Sequence, residues 1–180
     1  MTDDPAKFLE KMQTANDEMA LALGHLVREF AFMEKMLTWS LTHLLPVSLH
    51  DAHIIFSNMI NMRDRIAVVK SLARRQIKDE AEYLELAQVL GTIKTVNRER
   101  NLLFHNEWAG YHPHDNSHTQ IRYEAKDKLT LKAYQRSPDD VRELCKKARQ
   151  AAVALSQFFG HRQDRQRAQT PRRLTDHHLG

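Results

Sequence analysis

Between Lys7 and Leu45 apolar residues return at every third or fourth position: Met19, Leu23, Leu26, Phe30, Met33, Leu37, Leu41 and Leu44. A stripe with that spacing is the signature of one long amphipathic α-helix. Gly24 within it is a place for a kink or for the close approach of a neighbour, and Pro46 must end it. A helix this long needs other helices to cover its apolar side.

Those helices can be read from the next hundred residues. Ser48 and Asp51 are both suitable N-caps for a segment carrying Ala52, Ile55, Phe56 and Met59. After a break near Asn61 the pattern resumes through Ile66, Val69, Leu72 and Ala73 to about Lys78. Asp79 then caps a helix running through Tyr83, Leu86, Leu90, Ile93 and Val96 to about Phe104. Residues 106–120 hold Asn106, Gly110, Pro113, Asp115, Asn116 and Ser117, and read as a loop. Alternation replaces helical spacing in Ile121, Tyr123 and Ala125, then in Leu129, Leu131 and Ala133, on either side of Lys126-Asp127-Lys128. This is the pattern of a β-hairpin. Ser137-Pro138-Asp139-Asp140 opens the last helix, which carries Val141, Leu144, Cys145, Ala148, Ala152, Leu155 and Phe159, with Gly160 as its expected terminator.

The expected architecture is all-α in the main: an antiparallel bundle of four to five helices over residues 7–160, with a small β-hairpin inserted before the last helix. Residues 161–180 are expected to form a disordered basic tail. The chain has only 5 Gly and 5 Pro, too few for an all-β protein with many turns. Its glycines are isolated from one another, which argues against a P-loop or a dinucleotide-binding loop. No cofactor is implied.

With a single cysteine, Cys145, no intrachain disulfide can form, and a buried structural thiol is expected. The start Met1-Thr2-Asp3-Asp4-Pro5 lacks the basic start and apolar run of a signal peptide, and no apolar stretch reaches the length of a membrane span. A reducing, cytoplasmic setting without a membrane partner is the resulting expectation. The net charge of +4 is concentrated at the end of the chain. Residues 161–180 hold five Arg against two Asp, which leaves 22 basic and 21 acidic residues in the body. Strong non-specific attraction of the body to phosphate is therefore not expected.

The segment from Asn97 to Trp108, Asn-Arg-Glu-Arg-Asn-Leu-Leu-Phe-His-Asn-Glu-Trp, stands apart. On an ideal helix with Ile93 at zero, Leu86 and Phe104 fall near about 20° and Arg100 near about −20°, within the apolar face. Asn97, Asn101 and His105 follow one another at four-residue steps along one flank. An inward guanidinium needs a partner or a wet cleft. It can be a structural clamp to Glu29, Glu34 or Glu99, or it can border a functional groove.

Arg100-Asn101-Leu102-Leu103-Phe104-His105 resembles the signature of the HEPN superfamily, in which four to six residues separate an Arg from a His, often with a polar residue directly after the Arg. The resemblance covers this motif in identity and residues 7–160 in architecture. It implies metal-independent endoribonuclease chemistry, in a toxin or a defence component. Arg100 would stabilise the phosphorane charge, His105 would handle a proton, and Asn101 would orient the His or the phosphate. It also implies a homodimer that brings two motifs together, RNA as the substrate, and a cognate antitoxin or other protein as a partner. Other members of the superfamily are non-catalytic, so a helical protein-interaction or nucleotide- or RNA-binding module with a structural Arg/His pair stands as the alternative.

Further residues carry weaker expectations. Asn97 lies on the motif's flank, and Trp108 either stacks on a base or packs the junction between helix and loop. His112, His114 and His118, with Asp115, have spacings that can bind a divalent metal, although a solvated loop is the commoner outcome. One of these histidines could also reach the cleft beside His105. Arg63-Asp64-Arg65 with Lys70, Arg74 and Arg75 forms a basic face that either follows a nucleic-acid backbone or is a mixed, solvated surface.

Overall fold

The computed structural model describes residues 4–125 and 129–169. Helix α1 spans Pro5–Leu44, with the Asp4 carboxylate accepting from the Ala6 amide at its start. It stops where Pro46 requires it to. Leu45 is extended, at φ −137° and ψ 150°, because the ring of a following proline disfavours the helical region. Helix α2 covers Leu49–Ser57 and opens on a reciprocal capping box between Ser48 and Asp51. Helix α3, Met62–Gln76, begins after Asn61, and helix α4, Glu80–His105, begins after Asp79, whose side chain accepts from the Glu82 amide at 2.7 Å.

A three-stranded antiparallel sheet follows in the order β1-β2-β3, with β1 at Glu107–His112, β2 at Ser117–Ala125 and β3 at Leu129–Arg136. The expected hairpin is present as the β2–β3 pair, with Tyr123 opposite Leu131; residues 126–128 lie outside the described residues. The loop expected at 106–120 is corrected: most of it is strand. Gly110, at φ +64°, sits at a register shift between Ala109 and Tyr111 that breaks the alternation a strand would show in sequence. Trp108 and Tyr111, three residues apart, consequently both reach the His118 ring, at 6.1 and 5.3 Å between centroids.

Helix α5 runs from Pro138 to Gln169. Gly160 does not terminate it, and residues 161–169 are helical, not part of a disordered tail; residues 170–180 lie outside the described residues. Glycine lacks a side chain but can sit within a helix at a cost of about 1 kcal/mol relative to alanine. Here the extension is held by Arg162 and Arg165, which both pair with Glu82 in the first turn of α4.

The core lies where α1 packs along α5, with α4 against α5 and α3 against both α1 and α4. Leu26, Met33, Leu37, Leu86, Leu155 and Phe159 are among its fully enclosed side chains. Glu29 is buried on α1 and takes two hydrogen bonds of 2.9 Å from Arg149 on α5 and two, of 3.0 and 3.3 Å, from Arg28. The Arg149 contacts, more than any other influence, hold its carboxyl below the usual glutamate range. Among the described residues no helix is long and apolar enough to cross a membrane.

Candidate functional site

Helix α4 ends beside the sheet, and the sheet fixes that end. The Leu103 carbonyl, in the last turn, has no helical partner further along. It accepts from Trp108 Nε1 at 3.2 Å and from Gln120 Nε2 at 3.0 Å. Gln120 is fully buried on β2. Two side chains from two strands therefore cap the helix that carries residues 100–105. Trp108 does this packing work against the core and does not line the groove described next, so its base-stacking role is not supported.

An open groove of about 1320 Å³ runs between α4, the α2–α3 connection and the outer face of β2. Asn97, Asn101 and His105, set at four-residue steps on one flank of α4, line it together with Arg100. His105 is exposed at the helix end. Arg100 is half-buried, and its Nη1 donates to the Asn101 side-chain oxygen at 3.2 Å. The guanidinium lies over two aromatic rings, 5.0 Å from the centre of Phe30 and 4.9 Å from that of Phe104. The ideal helix put Phe104 inside the apolar face, but it is 38% exposed at the groove end of α4.

The three carboxylates that could have clamped Arg100 are engaged elsewhere. Glu29 pairs with Arg28 and Arg149, Glu34 with Arg65 at 3.1 Å, and Glu99 with Arg98 and Arg136 at 3.1 and 3.2 Å. Among the described residues no carboxylate lies within ion-pair distance of Arg100. Its fixed charge is held by two ring faces and one amide oxygen, and stays available to an anion.

The groove contains residues that the sequence did not single out. Lys94 comes from α4 and Arg122 from β2, joining Arg98 of the Asn97–Trp108 segment and Arg63 of the basic face at the start of α3. Glu34 and Glu107 are the acidic lining residues among those described; of the five lining cations Arg63, Arg98 and Arg122 pair with Asp64, Glu99 and Glu124, while Lys94 and Arg100 make no ion pair among the described residues. Lys94 was legible as a lysine one turn before Arg98; Arg122 and Tyr123 needed the hairpin to be folded back. The rest of the basic face disperses. Arg65 turns to Glu34 and the Met59 carbonyl, and Arg74 pairs with Glu80. Asn106 lines the groove with its Nδ2 buried and without a hydrogen-bond acceptor.

The histidines after the motif do not converge. His112 is bonded to Thr119 at 2.6 Å, His118 to Asn16 at 2.9 Å, and His114 is exposed in the β1–β2 turn. Among the described residues no group of three or more metal-ligating side chains is placed to hold an ion. None of the three lines the groove with His105. Burial, followed by the neighbouring His112 charge, pushes the His118 pKa down. Cys145, expected to be buried, is half-buried on α5, its Sγ donates to the Ala22 carbonyl at 3.7 Å, and burial pushes its thiol pKa up.

No family model, curated protein or solved structure matches this chain.

Proposed function

We propose that the protein is a HEPN-like, metal-independent endoribonuclease, with Arg100 and His105 as its catalytic pair. The observation that carries this reading is the position of an arginine with no carboxylate partner among the described residues in the same open groove as an exposed histidine five residues further on. A structural Arg–Glu clamp has the opposite features. In the proposed reaction the 2′-hydroxyl of RNA attacks the adjacent phosphorus and the 5′-oxygen leaves. Arg100 stabilises the charge that builds on the phosphoryl oxygens. His105 transfers a proton. Asn101 fixes the guanidinium through its 3.2 Å contact, and Asn97 binds the substrate on the same flank.

The reading carries with it a homodimer that pairs two motifs, a role as a toxin or defence component, a cognate antitoxin or other protein partner, and a cytoplasmic setting. The second reading, a non-catalytic interaction or RNA-binding module, keeps the groove and discards the chemistry. Product analysis separates them. Attack by the 2′-hydroxyl leaves a 2′,3′-cyclic phosphate on one fragment and a 5′-hydroxyl on the other. RNA that is bound but returned intact supports the module instead.

A further inference from the structure

Beyond the catalytic pair, the groove has one wall of a different character. In the β2–β3 register Ile121 faces Ala133 and Tyr123 faces Leu131, so these four side chains share one side of the sheet. Near the bundle, the opposite side carries buried Gln120 and His118. Toward the hairpin tip it carries Arg122, Glu124 and Lys132, joined by ion pairs. The apolar side has no such cover: Tyr123 is 54% and Leu131 59% exposed. Ile121 and Tyr123 are at the same time part of the groove that contains Arg100 and His105.

Two aromatic side chains line that groove. The ring of Phe30 is occupied by the Arg100 guanidinium. The Tyr123 ring meets no other ring or cation among the described residues, and its hydroxyl makes no hydrogen bond there. A free aromatic face beside a set of cations is the arrangement that proteins use for single-stranded nucleic acid: bases stack on the ring and the backbone follows the positive charge. A duplex keeps its bases stacked on one another and offers no free face to Tyr123.

We infer that the apolar side of β2–β3 is a base-stacking platform, with Tyr123 as its principal residue, for an unpaired RNA segment whose phosphates lie on Lys94, Arg98 and Arg63. The inference rests on the nuclease reading for the choice of RNA. The occupant follows from the continuity of the platform with the groove and from the cations on its helical side, Lys94 and Arg100 without ion-pair partners among the described residues and Arg98 and Arg63 in exposed pairs with Glu99 and Asp64. Tyr123 is thus a specificity-determining residue for single strands, and it takes no part in the chemical step.

The test is equilibrium binding of a short fluorescent 2′-O-methyl RNA, which cannot supply the attacking hydroxyl. It is compared with the same sequence in a duplex, using the full chain as wild type, Tyr123→Phe and Tyr123→Ala. The expected result is preference for the single strand, retained by Tyr123→Phe and weakened about tenfold or more by Tyr123→Ala. Equal binding of the duplex, unchanged binding by Tyr123→Ala or no binding by the wild type overturns the inference. So does a shift of Tyr123→Ala from dimer to monomer in solution, which would assign the platform to a second copy of this chain. Since Tyr123 is exposed, circular dichroism should show all three proteins folded. The readout is independent of cleavage. If the Tyr123 effect on binding appears while His105→Ala has no effect on RNA integrity, the platform stands and the nuclease reading fails.

Discussion

The Arg100 guanidinium lies 5.0 Å from the centre of the Phe30 ring, which joins the motif of α4 to the long helix α1 without an ion pair. A cation over an aromatic face contributes about 0.5–2 kcal/mol, depending on how far it is desolvated. Breaking a buried ion pair costs about 3–5 kcal/mol, because a charge is left behind. Arg100→Ala should therefore lower stability by about 1–2 kcal/mol, within the range of the ring contacts. Chemical denaturation measures this directly. A loss at the ion-pair level would mean that Arg100 is a structural clamp after all.

Gln120 offers a separate handle on the same helix end. It does not line the groove, yet its side-chain amide holds the Leu103 carbonyl two residues before His105. Gln120→Ala removes that bond and leaves a small void in a fully buried position. The expected cost is about 1–3 kcal/mol. RNA cleavage by the folded variant should fall as well, since the end of α4 loses one of its two side-chain caps. Cleavage at the wild-type rate by a destabilised but folded variant would show that the cap does not position His105.

The extension of α5 beyond Gly160 makes a prediction of the opposite kind to that of a disordered tail. The Arg162 side chain is 13% exposed between Glu82 and the Gln76 carbonyl, whereas that of Arg165 is 55% exposed. Arg162→Ala should cost about 1–2 kcal/mol, as a largely buried charge-assisted contact is lost. Arg165→Ala should cost less than about 0.5 kcal/mol, as is usual for exposed pairs. Thermal denaturation of the two variants in the full chain gives the comparison. Neutral behaviour of Arg162→Ala would return this segment to the tail.

Stability should also depend on pH in the range where imidazole titrates. His43 is stacked on Phe159 at 5.2 Å and meets the edge of Trp39 at 4.1 Å, with its Nε2 buried and unpartnered. Burial pushes its pKa down, so the unfolded chain binds this proton more readily than the folded one. The contribution is complete above the ordinary imidazole value of about 6.5 and declines as the pH falls from there to the depressed folded value. His118 acts in the same direction. Unfolding measured between about pH 7.5 and 5 should show falling stability, with a shallower slope in His43→Phe. Identical slopes would show that His43 is not a source of the dependence. Glu29, held below the usual carboxylate range, acts in a separate window at lower pH.

How much of this was legible in the sequence follows the physics of each element. The helices of the bundle were readable because their starts are chemical: Ser48 with Asp51, Asp79, and Ser137 before Pro138. The flank of Asn97, Asn101 and His105 was readable because helical spacing alone places those residues together. Strand β1 was not, because the shift at Gly110 puts Trp108 and Tyr111 on one side at an odd spacing, and the turn formers around it suggest a loop. The end of α5 was not, because Gly160 is a stop signal that distant pairs with Glu82 override. The ion pairs that leave Arg100 free depend on which helices become neighbours, and no local pattern encodes that. The same holds for Arg122 and Tyr123, which join the groove only when the sheet folds onto α4.

The most direct measurement is cleavage of a mixed RNA pool in EDTA by the wild type, Arg100→Ala and His105→Ala, with the fold of each variant checked by circular dichroism. The account predicts cleavage by the wild type, with a loss of about 100-fold or more in both folded variants. Wild-type cleavage retained by folded His105→Ala and Arg100→Ala would contradict it.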